Sequence, residues 1–176
     1  MIHKFRFKQV SHWEETLCLR FNRASHFRLV RNALRIVSRL GDGVFWYSLM
    51  ACLLIWFGKS ALLPVTHMIL AGLSCTLLYK WLKAKTSRPR PYQVNREIIL
   101  GTNPLDPYSF PSGHTLHAVA FTIVLLGYYP AMAWLAVPFT ALIALSRVVL
   151  GLHYPSDVLA GALIGTLVAG ASFRMF

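Results

Sequence analysis

Acidic residues are scarce in this chain. Six Asp and Glu stand against 18 Lys and Arg, giving a formal net charge of +12, and charged residues of both signs make up only 14% of the 176 positions. A soluble domain carries about a quarter charged residues. The shortage, with 56% hydrophobic content and a mean hydropathy of +0.51, points instead to one membrane-embedded domain with several spans. Cysteine is also rare: Cys18, Cys52 and Cys75 are isolated, with no CxxC pair, so they imply neither a disulfide framework nor a thiolate metal site. No carboxylate pair or His-Cys cluster has ligand spacing, and nothing in the pattern calls for a metal or another cofactor. The first forty residues lack a continuous apolar core, so no signal peptide is expected and the spans direct insertion. Internal repeats and low-complexity tracts are absent. The excess of cations lies beside apolar segments, which suits anionic lipid head groups and argues against nucleic acid.

The expected fold is an all-α integral membrane bundle of about five transmembrane helices, preceded by an amphipathic interfacial helix. Residues 1–10 are basic and aromatic. From Ser11 to Leu40 the pattern is helical, with Arg28, Arg31, Arg35 and Arg39 on one face and Phe27, Val30, Leu34, Ile36 and Val37 on the other. That describes a helix in the interface with its arginines toward lipid phosphates. A charged face packed on the bundle is the alternative. Residues 1–40 are therefore read as an interfacial segment and 41–176 as the membrane domain. Gly41-Asp42-Gly43 ends the helix. Apolar spans follow at Val44–Gly58, Ala61–Leu82, His114–Tyr129, Pro130–Leu150 and Asp157 to about Phe173, the last with Gly161, Gly165 and Gly170 for close helix contact. Between the second and third spans, residues 83–113 form a long polar, proline-rich loop in which only Ile98-Ile99-Leu100 looks buried. A loop of that length in a chain of short turns is usually functional.

Three separated clusters meet on one membrane face. The loop opens with Lys83 and Arg90-Pro91. It closes on Pro111-Ser112-Gly113-His114, and the last span is entered through Ser146-Arg147 and the run from Gly151 to Asp157. Ionisable groups at a membrane boundary are costly unless paired or hydrated, which makes them functional candidates. Arg and Lys match phosphate oxygens. Ser112 and Gly113 stand at a helix N-terminus, where free N–H groups favour an anion. Two histidines can then divide the remaining work, one attacking phosphorus and one protonating the leaving oxygen. Pro155 suits a first helical turn, which places Asp157 near His153. Each feature also has a structural reading: a basic topology-setting loop at Arg88 to Pro91, a helix cap at His114, a snorkelling Arg147. His67 and His117 are read as structural.

These residues resemble the signature of the type 2 phosphatidic acid phosphatase superfamily: Lys, six residues, Arg-Pro; Pro-Ser-Gly-His; Ser-Arg, five residues, His, three residues, Asp. Lys83, Arg90, Pro91, Pro111, Ser112, Gly113, His114, Ser146, Arg147, His153 and Asp157 match at every defined position, and the resemblance runs from about Leu40 to the C-terminus. It implies that His153 is the nucleophile, forming a phosphohistidine, with Asp157 orienting it. It likewise implies that His114 is the general acid, that Lys83, Arg90, Ser112, Gly113 and Arg147 bind the phosphoryl group, and that no metal takes part. The implied substrate is a phosphorylated lipid such as undecaprenyl diphosphate, phosphatidic acid, phosphatidylglycerol phosphate or a lipid A phosphate, in the bacterial inner membrane.

A lipid phosphotransferase using the same intermediate, or a non-catalytic lipid-binding or transport protein, would also carry this pattern; the intact signature argues against the second. Five apolar spans disfavour a soluble haloperoxidase. Basic residues concentrate on the face bearing the site, which the positive-inside rule places in the cytoplasm. Many bacterial members of the resembled family carry the site on the outer face, so both sides stay open. Glycine-lined faces permit association without fixing an oligomeric state.

Overall fold

The computed structural model describes residues 12–176, so the basic and aromatic stretch at 1–10 lies outside the described residues. Among the described residues every regular element is helical: α1 His12–Asn22, α2 Arg28–Arg39, α3 Phe45–Phe57, α4 Leu62–Thr86, the single turn α5 Pro91–Val94, α6 Gly113–Tyr128, α7 Ala133–Val149 and α8 Pro155–Ser172. Three helical stretches, Arg28–Val94, Pro130–Val149 and Pro155–Ser172, are long and apolar enough to cross a membrane, and Gly113–Tyr128 is a shorter apolar helix. The first expected span, α3, has 13 residues, about 20 Å at 1.5 Å per residue. It gains length by continuing α2 through a π-type turn at Leu40–Val44, kinked at Gly43 where φ is 136°.

The centre of the bundle is α6, packed against α4, α7 and α8. Gly161 and Gly165 bring α8 onto the backbone of α6. A Cβ at Gly161 would lie 2.6 Å from the Ser112 carbonyl oxygen, and one at Gly165 would lie 2.5 Å from that of Leu116. Gly170, expected to do the same, faces open space. Trp46, Met68, Leu116, Leu125 and Ile143 fill the interior between the helices.

The segment before residue 41 is more deeply integrated than an interfacial helix would be. It divides into α1, a 3₁₀ turn at Arg23–His26 and α2. Asn22 Nδ2 donates to the Ile99 and Val149 carbonyls, both at 2.9 Å, while its Oδ1 accepts from the Ile99 N–H at 2.8 Å. One side chain thus splices the long loop to the C-terminal end of α7. Two of the four α2 arginines also turn inward: Arg31 donates to the Ser25 carbonyl and Arg35 to that of Gly101. Arg28 and Arg39 stay exposed, as do Phe27, Leu29 and Ile36. In the long loop Ile98 is buried but Leu100 is exposed; Arg88, Arg90 and Ser109 are buried as well, because they are paired.

Candidate active site

Local sequence puts His153 where it is. The α7 carbonyl of Arg147 accepts from both the Leu152 and His153 N–H groups, each at 3.1 Å. The chain reverses through Gly151 at φ 72°, where a Cβ would meet Ile98 at 2.6 Å and the Ile99 carbonyl oxygen at 2.9 Å. Only glycine fits that left-handed, crowded position. Pro155 then starts α8, and Asp157 Oδ2 accepts from the Tyr154 N–H at 2.9 Å. The second cluster is tied to the third through the backbone, since the Ser112 N–H donates to the Asp157 carbonyl at 3.0 Å.

Five of the expected side chains, Lys83, Arg90, His114, Arg147 and His153, line one cavity of about 260 Å³, together with Gly113. Ser112 does not reach it: its N–H is taken by Asp157 and its hydroxyl pairs with Thr115 at 3.0 Å. Asp157 sits behind His153, with Oδ2 3.5 Å from Nδ1, and that nitrogen has no hydrogen-bond partner among the described residues. The shorter contacts of Asp157 go to Tyr154 and to Arg88, whose NH1 donates to Oδ1 at 2.6 Å. Arg90 NH1 lies 3.3 Å from His153 Nε2, the ring nitrogen facing the cavity, and donates to the Leu152 carbonyl at 2.9 Å.

Two of the cations are engaged by one carboxylate. Lys83 Nζ contacts Asp106 Oδ1 and Oδ2 at 2.8 and 2.7 Å, and Arg90 NH2 contacts Oδ1 at 3.2 Å. Asp106 thus lies as a carboxylate across the two cations of the first cluster. Although burial pushes its carboxyl up, the Lys83 hydrogen bond and the Lys83 and Arg90 charges bring it below the ordinary value. Arg147 is braced by Ser38 of α2, and its Nε has no partner among the described residues, a donor that a phosphoryl oxygen would satisfy. His114 Nε2 pairs with Asp42 Oδ1. Burial, and then the charges of Arg90, Arg147, Lys83 and His114, hold His153 well below the ordinary imidazole value. That shift favours the neutral imidazole, the form that can attack phosphorus.

Sequence reasoning missed Ser38, Asp42, Arg88 and Asp106 as parts of the site. None carries a periodicity or motif signal; a lone Asp between two glycines was the only hint at Asp42. His117 lines the cavity wall but is satisfied by Gly113 O, Gly72 O and Thr76. His67 is far from the cluster, bonded to Tyr128 and Ser172.

From the ionic end the cavity runs between α3 and α4 past Trp46, Met50, Ile69, Leu73 and Phe121. Leu73 to Lys83 is ten residues of helix, about 15 Å. Ile69 and Leu73 are 45% and 55% exposed, so the apolar part of the cavity lies open on the side of the bundle. A cavity of this shape can take a phosphate at one end and an apolar chain along the other.

Residues 60–176 match the sequence profile described as the PAP2 superfamily. Over 141 residues the chain is 31% identical to an undecaprenyl-diphosphatase of Sulfolobus acidocaldarius, spanning 79% of this chain and 67% of that protein. Among solved structures, LpxE of Aquifex aeolicus superposes with a TM-score of 0.78 and 28% identity, covering 99% of each chain. A transmembrane PAP2-type phosphatidylglycerolphosphate phosphatase from Bacillus subtilis shares the fold at 22% identity and a TM-score of 0.76, covering 93% of this chain and 84% of its own.

Proposed function

Because the chain belongs to the PAP2 superfamily and is an integral membrane protein, we propose that it hydrolyses a lipid phosphate or diphosphate through a phosphohistidine on His153, with undecaprenyl diphosphate the first candidate substrate. The observation that carries this reading is the single cavity joining the cation and histidine cluster to an apolar trough open between α3 and α4. Phosphatidic acid and phosphatidylglycerol phosphate present the same chemistry and are the next substrates to try.

In the first step His153 Nε2 attacks phosphorus, a P–N bond forms, and the P–O bond to the lipid breaks. His114 gives the leaving oxygen its proton. Asp157 stabilises the imidazolium that results, and the Nδ1 to Oδ2 distance is expected to shorten as that charge develops. In the second step water attacks the same phosphorus, the P–N bond breaks, and His114 takes the water's proton. Lys83, Arg90 and Arg147 supply the positive charge that stabilises the equatorial oxygens, a role metals fill elsewhere. The exposed Arg28 and Arg39 of α2 are assigned to anionic head groups around the site.

The test is phosphate release by detergent-purified protein with excess chelator from the three lipids. Release that persists in chelator and vanishes in His153→Ala supports the reading. A requirement for added metal, or turnover only when an acceptor lipid is supplied, would replace it with metal-assisted hydrolysis or phosphotransfer.

A further inference from the structure

Asp42 lies outside the three motifs and outside the residues matched by the family profile, yet its carboxylate reaches into the site. It is carried by the π-type turn between α2 and α3, and both neighbours are glycines for local reasons. A Cβ at Gly41 would lie 3.0 Å from Ile143 Cδ1, and Gly43 holds φ 136° with a Cβ position 2.7 Å from the Tyr47 ring. The turn therefore presents Asp42 to the cavity along a path other residues would strain. Its Oδ1 pairs with Nε2 of His114, 72 residues away in sequence. Asp42 and His114 line the cavity side by side with Arg147.

The charge balance around His114 explains why a carboxylate belongs there. Arg147, Arg90 and Lys83 face the same cavity. Of the acids nearby, Asp106 is engaged by Lys83 and Arg90, and Asp157 by Arg88. Asp42 is the carboxylate set against the His114 ring, at a third exposed. An opposite charge in contact with an imidazole favours its cationic form, and neighbouring cations oppose it.

We propose that Asp42 is the positioning residue of the general acid: it holds the Nε2 proton of His114 and opposes the burial and the Arg147 charge that disfavour the charged ring, so that the proton is in place for the leaving oxygen to take. As the P–O bond breaks, the proton passes from Nε2 to the alkoxide, which is far more basic than a carboxylate. When water attacks in the second step its proton returns to Nε2, and the pair with Asp42 re-forms. This rests on His114 serving as the acid in the function proposed above.

Leaving-group dependence tests it, because a phenolate with a nitro group departs without a proton and an alkoxide does not. Turnover of dodecyl phosphate and of p-nitrophenyl phosphate is compared in detergent for the wild-type, Asp42→Asn, Asp42→Glu, His114→Ala and His153→Ala proteins, with the inhibition constant of inorganic phosphate as a check on site assembly. General-acid catalysis supplies roughly 10²–10⁴-fold. Asp42→Asn is expected to lose about tenfold or more of that on dodecyl phosphate, in kcat rather than KM, and much less on p-nitrophenyl phosphate. His114→Ala should show the same bias more strongly, and Asp42→Glu should recover most of the alkyl turnover. Equal losses on both substrates, or none, would overturn the proposal. If Asp42→Asn no longer binds inorganic phosphate, Asp42→Glu decides: a folded Glu variant without the recovery would overturn it too. Phosphate release by His153→Ala would instead overturn the phosphohistidine reading, and the Asp42 role with it.

Discussion

Arg88 links two buried carboxylates, donating to Asp157 Oδ1 at 2.6 Å and to Glu14 Oε2 at 2.8 Å. All three side chains are nearly inaccessible, at 5%, 0% and 8% exposure. Asp157 is thereby anchored to α1, and the loop residue that does it is two positions before Arg90 of the first motif.

Removing one partner of a buried ion pair leaves a charge uncompensated, which costs about 3–5 kcal/mol. Arg88→Ala should therefore lower the thermal midpoint in detergent by many degrees. Glu14→Gln, which leaves Arg88 paired with Asp157, should do so less. Similar midpoints for Arg88→Ala and wild type would show that the link contributes nothing.

The proposed nucleophile sets a pH dependence. His153 titrates below its ordinary value of 6.5 because of burial and the surrounding Arg90, Arg147, Lys83 and His114. The folded protein thus binds that proton less readily than the unfolded chain does. Its contribution to stability is fully present above that value and is lost as pH falls through the lower folded-state value. The acid limb of kcat/KM, which reports the free enzyme, should accordingly lie below pH 6.5 and move upward in Arg90→Gln. A limb unmoved by that substitution would remove Arg90 from the electrostatics of the nucleophile.

Asp106 spans Lys83 and Arg90 in the resting site. Asp106→Asn removes the charge that competes for those cations, so inorganic phosphate should inhibit more tightly, by several-fold in the inhibition constant. Weaker inhibition would mean that Asp106 holds the cations in place for phosphate instead of occupying them.

The close approach of α8 to α6 predicts a steric effect at a distance from the chemistry. Gly161→Ala places a methyl 2.6 Å from the Ser112 carbonyl oxygen, and overpacking of this kind costs about 1–3 kcal/mol. It would also strain the Ser112 N–H bond to Asp157, so phosphate release should fall. Gly170→Ala, with nothing within 4 Å, should change neither stability nor activity.

Much of this architecture is legible in the sequence because it rests on composition and spacing. The apolar runs that become α3, α4, α6, α7 and α8 are bounded by glycine, proline and charge, and the starts of α6 and α8 follow from Gly113 and Pro155. The grouping of Lys83, Arg90, His114, Arg147 and His153 was reachable because their spacings are local signals within three segments. Asp42, Ser38 and Arg88 were not legible, since each acts through a partner 69 to 109 residues away that no periodicity reveals. The inward turn of Arg31 and Arg35 was hidden for the same reason: a helical wheel gives a face but not what covers it. Ser112 was expected to offer its N–H to phosphate, and only the tertiary contact with Asp157 shows that this donor is used.

The central claim is the covalent intermediate on His153. Protein mixed with lipid diphosphate radiolabelled at its terminal phosphorus, quenched in alkali within the first turnover and digested, should yield an alkali-stable, acid-labile phosphohistidine in the peptide containing His153. His153→Ala should yield none and release no phosphate. Label on another residue, or phosphate release by His153→Ala, would contradict the account.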